Sequence, residues 1–458
     1  MKRKINNNKQ FFKKKIAKLL PNNSEYEITN KSISNTWFNC DFYKSKNNNS
    51  DLLPIINNKL NNDVNKNLLR SRKVEILFNT SQKKRINEWL QLYRYTYNST
   101  IKFIKLNPNV RKTLPTLRPL IKNNFNLSIQ QRIIKSKIPS HTIDNAINDV
   151  VKAYKTNLTL LKQKKIRFFL MRYKKDSSKE SLTLEASCFP SYALYKKQIK
   201  NSLDINYSAS NTFCPSVFGN KINSVEPINK VLHDCKLSFH KGTNKYFLFI
   251  PTEKNNTINI NQDTAILDPG MRTFQTCYSK NNIIDYGNNV SNKIKEQLIK
   301  TDKYNVKEKY YRHIYYRTLN RIQNLTNDLH HKVSNDICNR FNCVIIGRLS
   351  TKCTNTKNTS KLNGMTKRIL QNLSHFKFRE ILKAKCEERG VKYFEVDEKY
   401  TSKTCSYCGN YNKNLGSSKE YKCIKCNMSI DRDCNGCRNI FIRNYTNIKS
   451  DLIMNGYI

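Results

Sequence analysis

Near its C-terminus the chain places cysteines where a soft metal ion would want them. Cys405-x-x-Cys408 and Cys423-x-x-Cys426 form two pairs with 14 residues between them, 409–422. A C-x-x-C turn aims two thiolates at one ion, and two such turns complete a tetrahedral four-cysteine site for structural Zn2+. Gly409 follows the second cysteine, where a tight turn needs free access to positive φ. A third pair, Cys434 and Cys437, lies in DRDCNGCRNIF, which reads as the start of the last helix. At i and i+3 these two share a helical face, where cysteine packs as a small hydrophobe. The rival zinc set, Cys423, Cys426, Cys434 and Cys437, has only seven residues between its pairs. The 15 cysteines are odd in number, and six of them sit in C-x-x-C pairs. That usage points to metal chemistry in a reducing compartment, not to a disulfide framework.

Scattered carboxylates carry the second chemistry. Metal-dependent phosphodiester cleavage needs acids converging on two divalent ions about 3.5–4 Å apart, one to activate water and one to stabilise the leaving oxygen. Asp268 closes the apolar run Thr264-Ala265-Ile266-Leu267 and precedes Pro269-Gly270. Asp431 and Asp433 open the last helical segment, where an acid can equally cap the helix or meet its dipole. A middle acid belongs at the end of Val344-Ile345-Ile346, and Gly347 stands there. The nearest carboxylates follow the next apolar run. Alternation puts Phe394, Val396 and Glu398 on one face and Glu395 and Asp397 on the other. Glu398, at the end of that run, is the expected third acid.

Periodicity gives the elements that must position these groups. Residues 264–268, 272–278 and 283–287 read as three strands. A basic helical region follows over 292–340, with Ile322, Leu325, Leu329, Val333 and Ile337 on one side. Residues 343–346 read as a fourth strand. A helix runs from Ser374, a good cap, to Gly390, a good stop, before a fifth strand at 391–396. The order βββ-α-β-α-β-α is that of the ribonuclease H-like α/β fold, here with a cysteine-rich insert before the last helix. Upstream, 74–78 reads as a strand, with Thr80 or Ser81 capping the helix after it. Ile86, Trp89, Leu90, Tyr93, Tyr97, Ile101 and Ile104 form that helix's apolar stripe. A second helix starts after Pro139-Ser140, and residues 180–258 look β-rich.

Composition narrows the partners. A net charge of +49 on 458 residues, with 38% hydrophobic content, calls for a polyanion. A small-molecule substrate does not fit it. No apolar run approaches the ~20 residues of a membrane span, and the N-terminus lacks a secretory signal's apolar core, so the protein is expected neither in a membrane nor secreted. Residues 1–70, rich in Asn, Lys and Ser, read as a disordered tail. Its cationic clusters suit nuclear import, an RNA-binding arm, or mere solvation.

Taken together, ILDPGMRTF, LHHK, VIIGRL, EKYTSKTCSYCG and YKCIKCNMSIDRDCNGCRNI resemble the RuvC nuclease domain of TnpB-type transposon proteins, the ancestors of type V CRISPR effectors. KVEILFNTSQKKRINEWLQLYRYTYN resembles their N-terminal start. Bacterial relatives carry a glutamate in an E-x-L motif after the fourth strand, where this chain has Gly347-Arg348-Leu349. That departure, with Glu398 just before YTSKTC, is similar to the eukaryotic and viral Fanzor branch, in which a relocated glutamate substitutes. The resemblance implies an RNA-guided DNA endonuclease. Asp268, Glu398 and Asp433 would hold two Mg2+, Asp433 being preferred to Asp431 because the family acid directly precedes x-N. It implies a guide RNA and a double-stranded DNA target as partners. The location would be nuclear in a eukaryotic host and cytoplasmic otherwise.

The expected organisation follows. A tail over 1–70 leads to a β-barrel-like plus helical nucleic-acid-recognition lobe over 71–258. The nuclease domain covers 259–404, the zinc ribbon 405–426, the last nuclease segment 427–445 and a C-terminal tail 446–458. Gly347 keeps an alternative open, a nucleic-acid-binding, repressor-like protein whose cleavage site has decayed. A transposase joining strands itself is disfavoured, since the sequence offers no second catalytic domain.

Overall fold

The computed structural model describes residues 26–32, 40–45, 68–123, 137–176, 179–194, 211–228, 231–254, 263–280, 282–304, 309–349, 362–416 and 418–454, with backbone alone for 26–32, 40–45, 309–310 and 451–454. The basic clusters at 1–25 lie outside these residues. Two strands come first, β1 (Tyr26–Ser32) and β2 (Cys40–Ser45), paired antiparallel. Contacts then divide the chain into a unit of residues 69–254 and a unit of 255–458 that also takes in 1–68.

The first unit holds β3 (Leu68–Leu77), α1 (Thr80–Leu106), α2 (Leu114–Asn123), α3 (Ser140–Lys162), β4 (Lys179–Leu184), β5 (Asn223–Ser224), β6 (Cys235–His240) and β7 (Lys245–Lys254). Its strands run in the order β4-β6-β7-β3-β5, an open sheet in the described residues where barrel-like closure was expected. The whole expected stripe of α1, Ile86 to Ile104, is buried. The helix starts one residue before the expected caps. Asn79 Oδ1 accepts from Gln82 N at 2.8 Å, and Gln82 Oε1 accepts from Asn79 N at 3.1 Å. This reciprocal box needs a pair three residues apart with matching side chains, so Thr80 and Ser81 fall inside the first turn.

The second unit holds β8 (Thr264–Pro269), β9 (Gln275–Tyr278), β10 (Asn282–Tyr286), α4 (Val290–Asp302), α5 (Lys309–Arg340), β11 (Cys343–Gly347), α6 (Gly364–Leu373), α7 (His375–Glu388), β12 (Lys392–Val396), β13 (Glu420–Lys422), β14 (Ser429–Asp431) and α8 (Arg432–Met454). Its sheet runs β1-β2-β10-β9-β8-β11-β12. β8, β9 and β10 form an antiparallel meander, while β11 and β12 run parallel to β8. The two faces follow from alternation. Ala265, Leu267, Val344 and Ile346 pack in one core with α4 to α7. Ile266, Tyr278, Ile283, Cys343 and Ile345 pack on the other face with α8 and the cysteine insert. Asp268, two residues after Ile266, therefore faces α8.

Four expectations are corrected. Residues 26–32 and 40–45, expected within a disordered tail, form strands, and β2 pairs with β10 over Asn282–Tyr286. An edge strand leaves a row of backbone donors and acceptors open, and a short segment with β-formers such as Ile28, Phe42 and Tyr43 can fill it. The helical region 292–340 is two helices, α4 and α5. Ser374 makes no side-chain cap, being the left-handed joint (φ 49°) between α6 and α7. The last helix runs on to Met454, through the expected tail at 446–458. Among the described residues, no helix is long and apolar enough to cross a membrane.

Candidate active site

Asp268 is the next-to-last residue of β8, and its carboxylate meets α8. The approach is possible because the helix carries Gly436 there: a β-carbon at that position would stand 2.2 Å from Asp268 Oδ2. Glycine in a helix interior costs roughly 1 kcal/mol relative to alanine, so its presence marks a steric need. The opening of α8 divides its two acids. Asp431 Oδ1 accepts from the backbone N–H of Asp433 at 2.9 Å and of Cys434 at 3.2 Å, which makes Asp431 the helix cap. Asp433, in the first turn, acts electrostatically on Asp268. The sequence reading preferred Asp433 to Asp431, and the structure gives the two acids different work.

Glu398 follows β12 and reaches back over β11. A β-carbon at Gly347 would stand 2.6 Å from Glu398 Oε2, and 3.1 Å from Ile440 Cδ1 of α8. The glutamate therefore fills the space above the residue at which an acid was missing. Glu398 Oε2 is buried and has no hydrogen-bond partner in the described residues. Glu395, on the opposite face as alternation requires, is engaged elsewhere. Its Oε1 accepts from Arg348 Nε at 2.8 Å and faces Arg379 Nε at 3.1 Å.

Burial and mutual repulsion raise the affinity of these acids for protons. The carboxyl of Asp268 is held well above its ordinary range by burial, then by Asp433 and Glu398. Burial pushes Glu398 up to about 7, against the pull of Arg379. Asp433 is raised by burial and by Asp431. Converging carboxylates that resist ionising together are what a hard cation neutralises.

A further acid was missed. Thr276 on β9 is the register partner of both Asp268 on β8 and Asp285 on β10. The three residues thus form one row on the face covered by α8. Asp285 is buried, accepts from Thr276 Oγ1 at 2.9 Å, and is pushed up to about 7 by burial. In IIDYG it reads as an ordinary strand residue, and only the cross-strand register puts it in one row with Asp268, across Thr276.

The turn after Asp268 is fixed from behind by two buried histidines. The Phe274 ring stacks between His330 and His375, with centroids at 5.2 and 5.1 Å. His375 also bonds the backbone of Gly270, and His330 Nε2 lies 2.9 Å from Leu373 O. Burial lowers their pKa to about 4 for His330 and about 3 for His375.

The cysteine insert is a separate construction. Cys405, Cys408, Cys423 and Cys426 have thiols within 4.8 Å of one another, the one such group among the described residues. Sγ–Sγ distances are 3.7 Å for Cys405–Cys426 and 3.6 Å for Cys408–Cys423. Each pair sits in a tight turn: Gly409 N–H donates to Cys405 O, and Asn427 N–H to Cys423 O, both at 2.9 Å. Gly409 (φ 76°) and Asn427 (φ 54°) supply the positive φ. The four thiols can hold a metal ion. Cys434 and Cys437 are buried in α8 outside that group, and Cys437 Sγ donates to Thr276 O at 3.2 Å.

Residues 375–440 match the family described as Cas12f1-like, TNB domain. Over 401 residues the chain is 30% identical to TnpB-like protein L79 of Acanthamoeba polyphaga mimivirus, covering 81% of this chain and 72% of that protein. The chain belongs to the TnpB family. A shorter stretch of this TnpB-family chain, 87 residues, is 36% identical to the CRISPR-associated endodeoxyribonuclease Cas12f1 of Sulfoacidibacillus thermotolerans, covering 19% of this chain and 21% of that one. Among solved structures, the mini-RNA-guided endonuclease CRISPR-Cas_phi3 aligns over 82% of this chain and 92% of that one, with 10% identity and a TM-score of 0.42.

Proposed function

We propose that this TnpB-family protein is an RNA-guided DNA endonuclease whose second unit is a ribonuclease H-like, RuvC-type nuclease domain of the Fanzor kind. One observation carries the reading: Glu398 lies over Gly347 on the face where Asp268 and Asp433 meet. The second unit's strand order supports the fold assignment. A central β8 with an antiparallel meander on one side and two parallel strands on the other is what βββ-α-β-α-β-α connectivity yields. Relatives named as TnpB-like proteins and as an endodeoxyribonuclease support the activity class.

The donor set fits a hard divalent cation such as Mg2+. Its atoms are carboxylate oxygens, and buried Glu398 Oε2 has no other partner in the described residues. Asp268, Glu398 and Asp433 would hold two such ions. When bound, the ions supply a water acidic enough to attack at neutral pH and charge stabilisation for the departing oxygen. The chain's own residues set the stage. Gly436 lets Asp268 reach the helix, Asp431 orients the first turn that carries Asp433, and Arg379 draws Glu398 toward its charged form. Lys419, Arg432 and Arg272 act electrostatically on Asp433 and would draw the phosphate backbone to the site. The four-cysteine group would take Zn2+ and stiffen the insert that ends at the start of α8.

Cleavage of DNA matching a bound guide RNA, assayed with and without Mg2+, tests the reading. Cutting by the wild type that disappears in Asp268→Ala supports it. Tight RNA binding without cutting would support instead the decayed, repressor-like protein that Gly347 suggested.

A further inference from the structure

In the first unit, between α3 and β4, residues 166–175 carry no regular secondary structure. They are nonetheless fastened through Phe169, Met171 and Lys174. The Phe169 ring meets Tyr154 edge-on at 5.5 Å, and Met171 is buried beside Asn157. Asn98 brackets Lys174, donating to its carbonyl at 2.9 Å and accepting from its N–H at 2.8 Å. The Lys174 ammonium lies 3.9 Å from the Tyr97 ring centroid and 3.6 Å from Asp149 Oδ2.

Against that anchoring, the alternate side chains point to solvent. Phe168 is 80% exposed, Leu170 66% and Tyr173 45%. Around them stand Lys164, Lys165, Arg167, Arg172 and Lys175, all exposed. Among the described residues no acid pairs with any of these five, and no Asp or Glu occurs in the sequence from 150 to 175. The Tyr173 ring already has the Lys105 ammonium over it at 4.3 Å. A fixed segment that exposes large apolar groups such as Phe168 and Leu170 among unpaired cations is suited to a partner, since isolated chains rarely leave such groups adjacent and bare.

We propose that residues 164–175 form a ledge on which unpaired nucleotides of the bound RNA stack. The inference rests on the RNA-guided reading above. Bases offer π-faces to Phe168 and Tyr173 whatever their identity, and phosphates meet the five cations. An anionic membrane fits less well, because interfacial anchors present a broad apolar helix face and this non-helical ledge offers only Phe168, Leu170 and Tyr173. RNA rather than target DNA is the occupant because a guide stays bound throughout. It would cover Phe168 and Leu170 permanently, where a transient target would leave them wet between encounters.

Two surface variants of the full-length chain test this, Phe168→Ser/Leu170→Ser and Arg167→Gln/Arg172→Gln. The probes are a 20-nucleotide oligouridine, a 20-base-pair RNA duplex and vesicles rich in phosphatidylserine. The stacking variant should bind oligouridine at least about tenfold more weakly, with an unchanged salt slope and unchanged duplex binding. The cation variant should lose about 1.4 from the slope of log K against log salt, two phosphate contacts at roughly 0.7 each. Wild-type affinity for oligouridine in the stacking variant overturns the ledge alone, provided the wild type binds RNA. A wild type that binds no RNA overturns the ledge and the RNA-guided reading together. A loss confined to vesicles assigns the surface to a membrane and overturns it too.

Discussion

The cysteine group at 405–426 and the carboxylate group around Asp268 lie against the same face of one sheet, and they are assembled in opposite ways. The thiols come from two short turns and lie within 4.8 Å of one another. The carboxylates come from positions 268, 398 and 433 and need a strand end, a reach across a neighbouring strand and a helix start to meet. Soft donors closing on one ion make a fixed part. Hard donors brought from three separate elements would, in the proposed site, leave room for ions, water and a phosphodiester. The difference teaches where each site is vulnerable. The first depends on local turns and fails by unfolding. The second depends on long-range register and fails by displacement, with the fold intact.

The largest effect should come from breaking the second site. Asp268→Ala or Asp433→Ala should bring guided cleavage below about 1% of wild type, with melting temperature and RNA binding retained. A variant that cuts at wild-type rate would remove its residue from the site. Gly436→Ala comes next. The helix favours Ala by roughly 1 kcal/mol, so the protein should fold while the displaced Asp268 lowers cleavage at least about tenfold. Normal cutting by Gly436→Ala would mean that Asp268 is not seated against α8. Cys423→Ser should show the contrasting failure. Elemental analysis should find a metal equivalent lost, and limited proteolysis should open residues 401–431. Unchanged metal content would remove the four-cysteine assignment.

The smallest effect concerns the histidines behind the Asp268 turn. In the folded state burial holds His330 at about 4 and His375 at about 3, below the ~6.5 of an unfolded histidine. Neutral histidine is thus the folded form. Its contribution is full above pH ~6.5 and is lost as pH falls toward 4 and then 3. Denaturant midpoints should drop over that window, and less so in His330→Gln. Equal pH profiles for wild type and variant would remove His330 from the effect.

Much of this arrangement was legible because its signals are local. The run 264–268 and the segment 343–347 are short, apolar and bounded, and both form strands where read. The stripe from Ile86 to Ile104 repeats at helical spacing over four turns and more, enough to outweigh any single residue. Glu398 was reached by alternation along one strand, and its place over Gly347 agrees with that face. What escaped needed information from elsewhere in the chain. Asp285 becomes informative only through Thr276 on the neighbouring strand. Gly436 is unusual only because a carboxylate 168 positions earlier needs its space. The strand at 40–45 exists because β10 offers an open edge. Asn79 displaced the expected caps because Gln82 returns its hydrogen bond.

In the proposed site Glu398 supplies the acid missing at Gly347. The decisive measurement is single-turnover cleavage of matching DNA by guide-RNA-loaded Glu398→Gln, assayed in Mg2+ beside the wild type. The substitution keeps the side chain's size and removes its charge. The wild type should cut and Glu398→Gln should lose nearly all cutting, with RNA binding and melting temperature unchanged. Glu398→Gln cutting at the wild-type rate would contradict that role for Glu398.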